Sequence, residues 1–161
     1  MKTSQSVLFI TITTLMITIL QAQTTPKEAV MSARVTGAFD VKIIPQDDKL
    51  GDGISRMLLD KQYHGDLDGN SKGQMLAVGS AKSSGVYVAI EIFTGTLRGK
   101  TGSFSLHHTG IMTKAAPKLT ISVVPDSGTG QLAGITGNMT INIAPDGRHS
   151  YEFEYTLPDT H

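Results

Sequence analysis

Apolar and polar residues alternate along much of this chain. Tyr151, Phe153, Tyr155 and Leu157 are interleaved with Glu152, Glu154 and Thr156, and just before them Met139, Ile141 and Ile143 with Asn138, Thr140 and Asn142. A period of two places successive side chains on opposite faces of an extended strand, so each run offers one face for burial. Between the runs stands Ala144-Pro145-Asp146-Gly147-Arg148. Its Pro-Asp-Gly presets a turn and supplies a residue that tolerates positive φ, so the two runs are predicted to form a hairpin. No stretch holds the i, i+3, i+4, i+7 spacing of an amphipathic helix for three turns, and the predicted class is all-β.

Further strands are predicted at Ala33–Ile44, Ile54–Leu67, Gln74–Ala81, Val86–Leu97, Ser103–Met112 and Lys118–Val124. Segments rich in Gly, Asp, Ser and Pro separate them, among them Asp68-Gly69-Asn70-Ser71 and Asp126-Ser127-Gly128-Thr129-Gly130. Eight antiparallel strands in meander order hide their edges best by closing, so the expected architecture is a closed antiparallel barrel of about eight strands, with a two-sheet sandwich as the alternative.

Some strands depart from one wet face and one dry face. In Val86 to Phe93, one face carries Val86, Val88, Ile90 and Ile92, while the other carries Tyr87, Ala89, Glu91 and Phe93. A barrel has one inside, so the outer apolar stripe calls for a cover, either a C-terminal segment or another subunit, and a homo-oligomer is the expected arrangement. On the second strand Met57, Leu59, Lys61, Tyr63 and Leu67 share the apolar face. A charge in such a row is costly unless paired, which makes Lys61 and Glu91 natural partners across the lumen. They serve either as the polar end of a ligand pocket or as a structural ion pair. His107 and His108 are adjacent and must face opposite ways. His107 runs with Ser103, Ser105 and Thr109; His108 runs with Phe104, Leu106 and Met112. The candidate ligand-binding set is Lys61, Tyr63, Tyr87, Glu91 and His107.

Residues 1–22 stand apart from this pattern. Lys2 precedes an apolar stretch, Val7 to Leu20, which ends at Gln21-Ala22-Gln23. At 14 residues the stretch is shorter than the roughly 20 needed to span a bilayer, so it reads as a cleaved secretory signal peptide and no stable membrane anchor is expected. The expected organisation is a leader over 1–22, a flexible segment over 23–32 and one barrel domain over 33–161, exported to the periplasm or medium. Without Lys2 the mature chain has 13 basic residues against 14 acidic ones, a net charge of −1. That dispersed balance lacks the basic stripe of a nucleic-acid binder, and no nucleic-acid partner is expected. The chain has no cysteine, so the domain must rest on its core alone.

Motif-like signals are weak. Asp66-Leu67-Asp68-Gly69-Asn70 opens like a calcium loop, but the twelfth position is Ala77 in place of the bidentate Glu, and a hairpin turn is the better reading. Gly128-Thr129-Gly130 with Gly134 and Gly137 is faintly similar to a dinucleotide fingerprint, but no helix follows it and no βαβ unit surrounds it. His64 and Asp66 share a face, but no third ligand can be placed beside them, so no metal and no cofactor are predicted.

Three blocks, Asp60 to Met75, Gly85 to Gly110 and Val123 to Ile143, occur in an order that resembles the bacterial domain-of-unknown-function 3224 family over Val35 to Leu157. The resemblance implies a barrel similar to that of plant allene oxide cyclase and assigns no chemistry to any residue. The leading expectation is a carrier or sensor holding a small apolar or lipid-like ligand in the lumen. An isomerase or cyclase of the allene oxide cyclase type, and a filled barrel acting as a structural or interaction module, are the alternatives.

Overall fold

The computed structural model describes residues 30–47, 53–79, 84–113 and 117–158. The expected leader and residues 23–29 lie outside the described residues. The strands are β1 (Val30–Gln46), β2 (Ile54–Gly65), β3 (Leu67–Gly79), β4 (Gly85–Leu97), β5 (Lys100–Met112), β6 (Lys118–Val123), β7 (Thr136–Ile143) and β8 (His149–Pro158). Each pairs antiparallel with its neighbours in the chain, and β8 returns to β1, setting Val30 opposite Pro158 and Phe39 opposite His149. The result is the closed meander barrel that the alternation predicts. β1 begins at Val30, inside the stretch 23–32 expected to be flexible.

The main departure lies at the corner of β2 and β3. Asp68-Gly69-Asn70-Ser71 is not a turn but the start of β3, and the chain reverses at Gly65 and Asp66. Gly69 has φ +149°, and a Cβ there would come within 2.4 Å of the Thr94 carbonyl oxygen on β4. Its glycine therefore answers a close backbone approach within the sheet.

β6 covers only Leu106 to Ile111 of β5 and meets β7 at two residue pairs. Below it, the first half of β5 faces the loop 124–135. Side-chain oxygens of this loop replace a strand: the backbone N–H groups of Thr101, Ser103 and Ser105 donate to Gln131 Oε1, Thr129 Oγ1 and Ser127 Oγ at 2.9, 3.1 and 3.0 Å. The spacing of two on each side is that of a ladder. A single 3-10 turn, Gly130–Leu132, then drives Leu132 and Ile135 into the barrel end, where both are buried.

Inside, the closed end is packed with Leu67, Leu97, Phe93, Phe104, Phe153 and Leu157. Their rings form a chain: Phe93 to Phe104 at 5.1 Å between centroids, then Phe104 to Phe153 at 5.6 Å. Outside, the wall is divided. On β7, β8 and β1 the outward residues are Thr, Asn, Ser, Glu, Arg, Asp and Lys for the most part, whereas β4 turns Val86, Val88, Ile90 and Ile92 to solvent.

Candidate functional site

Midway along the lumen, β2, β3, β4 and β5 each contribute an inward polar residue at the boundary of the aromatic core. Glu91 of β4 is fully buried, and Lys61, Tyr63, Ser71 and His108 converge on it. Glu91 Oε1 accepts hydrogen bonds from Lys61 Nζ at 2.9 Å, Tyr63 Oη at 3.0 Å and His108 Nε2 at 3.2 Å. Oε2 accepts from Ser71 Oγ at 2.8 Å and lies 2.9 Å from Lys61 Nζ. Lys61 Nζ also stands 5.0 Å from the centroid of the Phe39 ring, where the π face favours a cation.

Burial by itself would raise the Glu91 pKa. The His108 hydrogen bond and the charge of Lys61 outweigh it, and the pKa falls from the usual 4.5 to about 2. The Tyr63 hydroxyl moves the other way, well above its usual value, because it is buried and faces the Glu91 charge. A carboxylate offers about four lone-pair sites, and five contacts occupy them, so Glu91 is a fixed, saturated anion.

Above this cluster the lumen opens into a cavity of 140 Å³. Lys61 and His108 line its inner end, Phe39, Tyr87 and Ala89 its sides, and Ile43, Leu119 and Ile143 its exposed rim. Tyr87 lies opposite Gly110, and a Cβ on Gly110 would meet the Tyr87 ring at 2.0 Å. The missing side chain is what lets that ring lie against the wall.

A family profile for proteins of unknown function (DUF3224) matches residues 35–155, nearly the whole barrel. The chain belongs to the DUF3224 family. A crystal structure of a DUF3224 protein with unknown function, from Shewanella oneidensis MR-1, is 44% identical with a TM-score of 0.74, covering 81% of this chain and 100% of that one. No curated protein matches.

In this DUF3224 barrel, Lys61, Tyr63 and Glu91 come together as one cluster, and Tyr87 joins them as cavity wall without a hydrogen bond to Glu91. His107 does not. It is exposed on the outer wall opposite Ile90, and its neighbour His108 enters the lumen instead. The signal was present in the sequence: His108 shares its parity with Phe104 and Leu106, which core packing pulls inward. Ser71 escaped sequence reasoning because it sat in the supposed turn. His64 pairs with Asp40 at 3.1 Å, and among the described residues no group of three or more His, Asp or Glu could hold a metal.

Proposed function

We propose that this DUF3224 barrel binds a small, largely apolar molecule at the open end of its lumen, with the molecule's polar atom against Lys61 and His108. The observation that carries this reading is the 140 Å³ apolar cavity ending on a buried ionic cluster. A dry cavity of about 150 Å³ is known to take a benzene-sized guest, so the enclosed part of the ligand is about one six-membered ring. The apolar rim of Ile43, Leu119 and Ile143 gives a protruding tail something to lie on. Lys61 spends its donors on the two Glu91 oxygens and, at 3.4 Å, on Tyr63. His108 Nε2 donates to Glu91, and its Nδ1 has no hydrogen-bond partner among the described residues. A hydroxyl, which can both donate and accept, complements that nitrogen whether or not it carries a proton.

A cyclase-type reaction would find no general base in the buried carboxylate. Glu91 is hydrogen-bonded from four side chains, with a pKa lowered to about 2. The leader reading adds export, so the ligand would be met in the periplasm or medium.

Thermal unfolding with cyclohexanol, cyclohexane and cyclohexylamine tests the proposal. Cyclohexanol should raise the midpoint most and the amine, which would bring a second cation beside Lys61, least. Ala89→Leu, which fills the cavity, should abolish the shift. No shift from any ring, together with no co-purifying small molecule in native mass spectrometry, overturns the proposal.

A further inference from the structure

The outer wall of β2, β3, β4 and β5 carries a second ordered feature, independent of the lumen. The strand register aligns its outward residues in rows. Ile54, Val78, Val86 and Ile111 form one row. Next come Arg56, Leu76, Val88 and Thr109, then Leu58, Gln74, Ile90 and His107. The last row is Asp60, Lys72, Ile92 and Ser105. Apolar side chains thus fill the β4 column and spread from it toward one end. Ile90 is 60% exposed, Ile92 55% and Val88 50%, values far from those of a finished surface.

We infer that this face is the contact surface for a second copy of the same chain, packed sheet against sheet around a two-fold axis near Val88 and Ile90. The area supports that occupant. Eight apolar side chains, each about half exposed, present on the order of 500 Å² of apolar surface, at the upper range of what a monomer leaves open. One side of a standard interface buries about 800 Å², of which a little over half, roughly 450 Å², is apolar. The face therefore holds about the apolar area that one partner of a stable dimer contributes. Its rim carries both signs, with Asp60 directly beside Lys72 and Arg56 hydrogen-bonded to Gln74, so a copy meets no single-signed field. A closed barrel offers no strand edge, which leaves face-to-face packing as the way for a copy to add, and antiparallel sheets pack so at about 10 Å. A lipid bilayer is the poorer occupant, because a spanning barrel needs its apolar band all the way round and the β7, β8 and β1 wall is polar.

The experiment reads oligomeric state by light scattering on a sizing column at about 10 µM. The wild-type chain should elute as a dimer or a larger assembly, and Ile90→Glu as a folded monomer with an unchanged β-sheet circular dichroism spectrum. Thr140→Glu, on the polar wall, should leave the assembly intact. Because a charge on β4 could also impair folding, single cysteines give a milder second arm in a chain that has none of its own. Under mild oxidation, Val88→Cys or Ile90→Cys should form a covalent dimer and Thr140→Cys should not. A monomeric wild type overturns the inference, as does an assembly that survives Ile90→Glu or cross-links equally well through Thr140→Cys.

Discussion

The two ends of the lumen are built from the same eight strands and differ in what those strands turn inward. Toward the Gly65 turn and the loop 124–135, the inward positions are Phe93, Phe104, Phe153, Leu67 and Leu97, all without exposed surface. Toward the other end they include Ala77, Ala89 and Gly110, with Ile43, Leu119 and Ile143 only partly covered. One end is solid and the other holds a cavity. Side-chain volume separates them, helped at the solid end by Leu132 and Ile135 from the loop 124–135, and the Lys61–Glu91 pair marks the boundary.

The boundary is where perturbation should cost most. Lys61→Met leaves Glu91 buried without its cation, and Glu91→Gln strands Lys61. Each should cost about 3 to 5 kcal/mol in denaturant unfolding, while the double variant recovers much of that loss. Additive losses would show that the two side chains do not act as a pair. At the solid end, Phe104→Ala should cost a similar 3 to 5 kcal/mol through the hole it leaves. A loss below about 1 kcal/mol would mean that the closed end is not packed as described.

Acid titration should sharpen the distinction further. The folded Glu91 pKa, about 2, lies below its usual 4.5, so its contribution is present above about pH 4.5 and is lost as pH falls toward 2. That difference corresponds to about 3 kcal/mol. Stability of the wild type measured between pH 5 and pH 2 should fall more steeply than that of Glu91→Gln. Parallel curves would mean that Glu91 is not held as an anion. The smallest effect belongs to the open rim: Ile143→Ser, at a side chain 66% exposed, should change stability by no more than about 0.5 kcal/mol. It should measurably weaken binding of a ring that carries an alkyl tail, and unchanged binding of that ligand would take the rim out of the site.

The alternation made the strands and closure of the barrel legible, and an isolated Lys and Glu on apolar faces made the centre of the cluster legible. Three features were hidden for identifiable reasons. Gly69 looks like turn chemistry because a glycine demanded by a close strand and one demanded by a turn are the same letter; only the approach of Thr94 separates them. Misplacing that turn hid Ser71. The choice of His108 over His107, by contrast, was legible in the parity it shares with Phe104 and Leu106, against the polar row of Ser103, Ser105 and Thr109 beside His107. The loop 124–135 gave no strand signal because the acceptors it offers the β5 N–H groups are side-chain oxygens, with only Val124 and Thr129 bonding back through their own N–H groups.

The closure of β8 onto β1 also sets a clock. Val30 and its partner Pro158 are 128 residues apart. At ribosomal speeds of about 5 to 20 residues per second, β1 must wait roughly 6 to 26 s for its last neighbour. During that interval its free side is an open edge, available to any other extended chain. Arg34, Asp40 and Lys42 punctuate the strand along that edge, and charges there discourage wrong partners. In the finished barrel Arg34 pairs with Glu152 of β8 and Asp40 with His64 of β2; on an unpaired β1 the same charges would count against any wrong strand in the place of β8.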